Sequence, residues 1–460
     1  MTLKKILRIT VIVLASVIGL ILLFVAVSVV PLKRKPIQEK PEYAAMMSRL
    51  DSLHPEFVRS TKGFSFGFAK ENITPAHPTA LAGYGNRFGK VYTAVHDSVY
   101  IRTLVVDNGS QRVAIVSADL LIIPPTVTEL LEKELPEVGF TINNTYLGAV
   151  HTHNSIGNWG EKATGILFGS YEDSIVHLIV NKIKQSIARA SMNMVPGTIR
   201  KGAIPVPTAV RNRLIKTGGI DSLLRVIEIH RSDSSKFLLM SYTAHATCLF
   251  SRDLELSRDY PGELVDEMEA SGYSFAMFMA GAVGSQKANP PEYGKPCLVW
   301  MANELKTKYI ARHHELKPVT DSTLLMIRVP LELPSPEAKI AKDWQIRPWL
   351  FNAAFGKYPT YLTALRLGDI VMIGTPCDYS GALTASLDSL AAKKNISVMV
   401  TSFNGGYIGY ITADQYYDRD HYETRLMNWY GPGNGAYITK CIHKLIDALD
   451  GEHVYPGDTR

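Results

Sequence analysis

The chain has 460 residues, 46% hydrophobic and 20% charged, a globular composition with room for one large domain or two ordinary ones. The formal charge is +6, but seven basic residues and one acid lie within residues 1–40, which accounts for the whole excess. The remainder of the chain is neutral, which argues against a basic nucleic-acid footprint on the folded body.

In chain order, the first element is the uncharged run Ile9 to Val30, flanked by Lys4, Lys5 and Arg8 before it and Lys33, Arg34 and Lys35 after it. Its 22 residues rise about 33 Å as a helix, matching a hydrocarbon core of about 30 Å. A cleaved signal peptide usually has a shorter apolar core, about 7–15 residues. The run is therefore read as an uncleaved anchor, residues 1–30. Basic flanks on both sides leave its orientation open. Residues 31–62 read as a linker with a short helix around Tyr43 to Leu53, and residues 63–460 as one body. Asn108-Gly109 between Tyr100–Val106 and Arg112–Val116 signals a β-hairpin. Pro125 opens a helix, and Asp173–Ala190 carries apolar residues at helical spacing. Leu223–His230 and Phe237–Thr243 read as strands, with a helix beginning after Pro261. Residues 335–357 hold Trp344, Trp349, Leu350 and Phe351 and read as a surface insertion, with a lid or membrane-facing loop as the other reading. Leu365–Gly374 is strand-like, Ser380–Lys393 helical, and Tyr437–Leu449 a closing helix. Strands alternating with helices and hairpins predict a mixed α/β (α+β) fold, one large domain with mixed sheets flanked by helices. Cys248, Cys297, Cys377 and Cys441 show no CxxC spacing; one disulfide or none fits equally.

The chemistry-bearing residues cluster at predicted strand ends. His151-Thr152-His153 ends the apolar run Thr145–Val150, and an extended segment would direct both imidazoles to one face, roughly 7 Å apart. His245 ends another apolar strand and is followed by Asp259-Tyr260-Pro261-Gly262. Three imidazoles make the three-ligand arrangement that catalytic zinc favours. Asp378 ends a further strand, followed by Tyr407 and Tyr410 in the stretch Asn404–Thr412.

These segments together resemble the neutral, non-lysosomal ceramidases, amidases that remove the fatty acyl group from ceramide. The resemblance is carried, in the family's order, by Gly67–Pro75, Leu81–Gly85, His96-Asp97, Ser117–Asp119, His151–His153, His245–Thr247, Asp259–Gly262, Asn404–Thr412, Tyr416, Tyr422-Glu423 and Tyr430–Pro432. It covers roughly Gly67 to Leu449. It implies zinc held by His151, His153, His245, Asp378 and Tyr407. Tyr407 matches the first tyrosine of the family's Asn-x-Tyr-x-x-Tyr pattern, although one extra glycine keeps Tyr410 open. Asp378 stands where the family has glutamate. Where the family carries Gly-Asp-x-Ser-Pro-Asn, this chain has Gly284–Asn289, with Lys287 at the serine position and Ser285 two residues before it. Ten residues after Asp450 leave no room for the family's β-sandwich domain.

The reaction implied is hydrolysis of an N-acyl lipid amide by metal-activated water, with the metal or a donor such as Tyr407 stabilising the oxyanion and Lys287 or Tyr410 protonating the leaving amine; Ser285 is the candidate for a serine route. The body is expected on the extracytoplasmic side, beside the bilayer that holds a ceramide-like substrate. The other readings are a membrane-tethered lipid- or partner-binding protein without turnover, and a metal-dependent esterase or amidase on another substrate.

Overall fold

The computed structural model describes residues 3–57 and 63–450. The element order follows the apolar periodicities closely. The N-terminal helix α1 (Leu3–Ser28) is 26 residues long, apolar and exposed along nearly its whole length, and the short strand β1 (Val29–Pro31) follows it directly. It has the length and apolarity shared by membrane anchors and signal sequences.

The segment expected to be a linker contains α2 (Pro41–Asp51). This helix belongs to the body: Ile37 before it and Met46 and Leu50 on it are buried in a core shared with the closing helix. Tyr43, Met46, Met47 and Leu50 recur at helical spacing and form one apolar stripe.

A nine-stranded mixed sheet forms the centre. Its strands are β2 (Phe64–Asn72), β3 (Tyr100–Asp107), β4 (Arg112–Ala118), β5 (Thr145–Ala149), β6 (Val195–Pro205), β7 (Leu223–Arg231), β8 (Lys236–Tyr242), β9 (Phe275–Ala280) and β10 (Lys317–Val319). Their spatial order is β9-β8-β7-β6-β2-β3-β4-β5, with β10 pairing with β6. The Asn108-Gly109 hairpin joins β3 to β4, with Val106 opposite Val113. Two pairs run parallel, β4 with β5 and β8 with β9. Helices α3 (Pro125–Glu134) and α5 (Asp173–Met192) cover the half nearest β5, and the short α4 (Lys162–Phe168) precedes α5. Helices α6 (Asp259–Ala270) and α7 (Lys295–Arg312) cover the half nearest β9.

A second sheet, of four strands, has the order β11 (Leu324–Pro330), β13 (Tyr361–Leu367), β14 (Ile370–Thr375), β15 (Ser397–Ser402), the last two parallel. Between β11 and β13 lie β12 (Trp344–Ile346) and α8 (Pro348–Phe355). The inner faces of the two sheets meet through Leu104, Ile115, Ile227 and Leu239 on one side and Leu365, Leu367, Met372 and Met399 on the other. Helices α9 (Thr384–Lys393) and α10 (Asn434–Ala448), with α2, pack on the outer face of the second sheet. The result is helices, sheet, sheet, helices: a mixed α/β architecture in which each sheet buries both faces. Such strands read as continuous apolar runs, which is why β4, β8 and β14 stand out in the sequence.

Candidate metal centre and catalytic cleft

The candidate ligands sit at the C-terminal ends of parallel strands from both sheets. His151 follows β5, His245 follows β8, and Asp378 follows β14. Where parallel strands end, the chain must leave the sheet, and the departing loops open a crevice.

The two histidines of His151–His153 do come together, but not as neighbours on an extended segment. His151 has φ 64°, in the left-handed region, because its amide bonds Leu120 while that of His153 crosses to Ala246. With this turn the two Nε2 atoms lie 3.2 Å apart. Asp259, Ser285 and Phe403 also carry positive φ nearby. Side-chain bearing residues in that region cost energy and concentrate at functional sites.

His151 donates from Nδ1 to the Leu121 carbonyl at 2.7 Å, which leaves Nε2 as the free lone pair. His245 Nε2 lies 3.1 Å from Asp378 Oδ1 and 3.1 Å from the Tyr410 hydroxyl, and His151 Nε2 lies 3.5 Å from the same carboxylate oxygen. Ligand atoms of His151, His153 and His245 all fall within 4.8 Å of one another. Asp378 Oδ1 is fully buried and accepts no hydrogen bond, whereas Oδ2 accepts from Tyr407 at 2.6 Å. A tetrahedral ion with donors at about 2.0–2.1 Å holds them about 3.3–3.4 Å apart. The contacts of 3.1–3.5 Å match that spacing, although the three imidazoles as a set spread over as much as 4.8 Å, and an orphaned carboxylate oxygen facing nitrogen lone pairs is what a cation would reconcile. The residues present therefore fit a divalent metal.

Burial sets the protonation states. It pushes the His151 imidazole down to about 3, against the opposing pull of Asp378, and it lowers His153 and His245 well below the ordinary value. All three are neutral donors at physiological pH. Burial raises the Asp378 carboxyl above its usual value, opposed by His151. Burial and the charge of Asp378 raise the Tyr407 and Tyr410 phenols well above theirs, so both keep their protons.

The geometry separates the two tyrosines. Tyr407 bonds the carboxylate oxygen that faces away from the imidazoles, while Tyr410 reaches His245 directly and also accepts from Arg213 at 3.0 Å. Lys287 lies at the wall of the cleft with Nζ 4.3 Å from the centre of the Tyr293 ring; burial and the nearby Arg211 and Arg213 lower its pKa. Ser285 is buried, and its hydroxyl donates to Glu423 Oε2 at 3.0 Å, so it braces the wall and does not face the cleft.

Two residues escaped the sequence reading of catalytic roles. Arg213 donates from Nε to Glu423 Oε1 at 2.5 Å and from Nη2 to both His245 and Tyr410. Burial opposes its charge, but Glu423 overcomes that cost and raises its pKa well above the ordinary value. Glu423 sits in a segment singled out by its resemblance. Arg213 had no signal at all, since it is one of several arginines in an unremarkable loop.

The cleft opens into a cavity of about 1890 Å³, above the 300–1,000 Å³ of typical small-ligand pockets. Its floor carries His151, His153, Asp378, Tyr407, Tyr410 and Arg213. Its walls are mostly apolar, with Leu121, Trp159, Phe168, Leu333, Phe351 and Phe355 among them, and also carry Glu161, Lys287 and Lys357.

Comparison with known proteins bears on the fold and on part of the chain. Residues 64–217 match the family model described as neutral/alkaline non-lysosomal ceramidase, N-terminal. That match likens residues 64–217 to the N-terminal region of those ceramidases. The fold is similar to that of the neutral ceramidase from Pseudomonas aeruginosa, with a TM-score of 0.72 and 18% identity over 85% of this chain and 75% of that one. It is likewise similar to a structure described as ceramidase complexed with C2, with a TM-score of 0.70 and 16% identity over 84% and 74% of the two chains. The ceramidase-like region named by the family model holds the His151–His153 pair and Arg213; His245, Asp378 and Tyr410 come from the chain beyond it.

Proposed function

We propose that this protein is a zinc-dependent hydrolase that cleaves the N-acyl amide bond of ceramide or a related N-acyl lipid, with the body held beside the membrane by α1. The observation that carries the reading is the floor of the cavity: buried, neutral imidazoles and an unpartnered carboxylate oxygen converge at the polar end of a large apolar chamber. An amphiphile with a polar amide and a long acyl chain matches that polarity.

His151, His153, His245 and Asp378 would hold the ion, with Tyr410 better placed than Tyr407 to join them. When bound, zinc lowers the pKa of a water molecule to about 7 and polarises a carbonyl. The side chains supply the rest. Arg213, locked by Glu423, directs a fixed positive charge at the floor, where negative charge develops on the substrate oxygen. The Tyr410 phenol keeps its proton and sits within reach of the same point, so it can donate a hydrogen bond there or pass a proton to the leaving nitrogen. Tyr407 fixes the orientation of Asp378. The tie between Ser285 and Glu423 supports attack by water over attack by that serine. The domain division is proposed as an anchor over residues 1–30 and a ceramidase-like body that includes α2.

The test is metal analysis combined with turnover. The full-length protein should contain about one zinc per chain and release fatty acid from a fluorescent short-chain ceramide. His245→Ala should lose at least tenfold in zinc affinity and nearly all turnover. Zinc and lipid binding without any release of acid would instead support the non-catalytic binding protein.

A further inference from the structure

The segment 335–357, rich in tryptophan, is joined to the end of the apolar helix. β1 pairs antiparallel with β12, with Val29 opposite Ile346 and Pro31 opposite Trp344. The Trp349 indole donates to the Val27 carbonyl at 3.0 Å, and the Arg347 amide to the Ser28 carbonyl at 2.8 Å. The last carbonyls of a helix have no partner within it. Here the start of α8 supplies two, so α8 begins level with the final turn of α1.

From there α8 faces two ways. Phe351 and Phe355 line the cavity, and Phe351 packs edge-on against Trp429 with ring centroids 5.0 Å apart. Trp349, on the same helix, and Trp344, just before it, are each 48% exposed. The short α4 packs beside α8 and repeats the pattern: Leu167 and Phe168 line the cavity, while Ile166 is 67% exposed. Two adjacent helices thus show apolar side chains both to the cavity and to the outside. A rim facing water would be expected to put polar residues on its outer side. Tryptophan at the level where a spanning helix ends is the composition of a membrane interface.

We infer that α4 and α8 form a doorway seated in the surface of the bilayer that holds α1, through which a membrane lipid slides into the cavity without crossing water. The partner is the lipid leaflet itself, reached because β1 and the two capped carbonyls fix α8 at the depth where α1 emerges. Phe351, Phe355, Leu167 and Phe168 continue the apolar path inward to the polar floor. The inference rests on the reading of α1 as an anchor and of the substrate as a membrane lipid.

The experiment uses the full-length protein in phosphatidylcholine vesicles. A polarity-sensitive fluorophore is placed at Ile166→Cys and, separately, at Met192→Cys. Met192 is 80% exposed and ends α5, whose 20 residues carry it about 30 Å from α4. The two native free cysteines, Cys377 and Cys441, are buried. The label at residue 166 should be quenched at least twofold by doxyl-labelled phosphatidylcholine, and the label at 192 should be unaffected. Equal response at the two positions overturns the inference, whether or not the protein turns over any lipid. In the kinetic arm, Trp349→Glu and Ile166→Glu should raise the apparent KM for bilayer-embedded long-chain ceramide at least tenfold. They should leave turnover of a water-dispersed short-chain ceramide within twofold. An equal loss with both substrates marks a purely structural role and also overturns it. Absence of turnover by the unmodified protein counts against the proposed hydrolase alone, since the quenching result stands independently.

Discussion

At the residue scale, the site is defined by which atoms are left without partners. Asp378 Oδ1 is buried and orphaned while Oδ2 is held by Tyr407, so one oxygen is committed and the other available. Ser285 shows the opposite condition, its hydroxyl already spent on Glu423. Ser285→Ala should therefore keep kcat within a few fold and cost about 1 kcal/mol of stability for the lost hydrogen bond; a thousandfold fall in kcat would restore the serine route. The imidazoles make a second prediction. In the metal-free folded protein His151 stays neutral down to about pH 3, whereas in the unfolded chain it takes a proton below about 6.5. Between those values the unfolded state binds more protons, so stability rises with pH through the window and falls on acidification. His153 and His245 shift in the same direction and steepen the effect. Urea midpoints of chelator-treated protein should drop from pH 6.5 to pH 4.5, and replacing His153 with Asn should flatten that slope.

At the element scale, the loop after β8 is braced from two sides. Asp259 accepts from the amides of Cys248, Leu249 and Tyr260, fixing the start of α6 against the loop that carries His245. Cys248 is also joined by a disulfide to Cys297 at the start of α7, across 49 residues of sequence. Loops of this length lose about 2–4 kcal/mol of stability when such a link is removed. The double variant Cys248→Ala, Cys297→Ala should lower the unfolding free energy by that amount, read by denaturant titration, and should weaken metal retention because His245 is three residues away. Neither cysteine carries a spacing signal, so the pairing was open in the sequence; the fold of α7 back onto the loop decides it. The same holds for α2. Its apolar stripe was visible, but only α10 shows what the stripe packs against.

At the scale of the whole molecule, the two sheets meet at the candidate metal centre. His151, His153 and His245 extend from the large sheet, and Asp378 from the small one. An ion bound there would bridge the halves, so it would stabilise the native state by mass action, about 2.7 kcal/mol at a free concentration 100 times Kd. Thermal unfolding should consequently shift to lower Tm on addition of chelator and recover with zinc. A Tm indifferent to both would separate the cluster from metal binding. Arg213 enters from a third region, the loop between the two halves of the large sheet, and joins the centre through Glu423 near the C-terminus.

By itself the amino-acid sequence determined the periodic elements, the apolar N-terminal helix, the Asn108-Gly109 hairpin, the mixed α/β class and the candidate histidines. All of these are local: burial on one or both faces imposes a repeat that short windows reveal, and strand ends place polar residues next to apolar runs. Tertiary structure alone decided the left-handed turn at His151, the different hydrogen-bond partners of Tyr407 and Tyr410, the partnership of Arg213 with Glu423, and the union of β1 with β12. Those contacts join residues far apart in the chain, whose geometry is set by how two sheets and their covering helices close-pack, and no nearby residue records that.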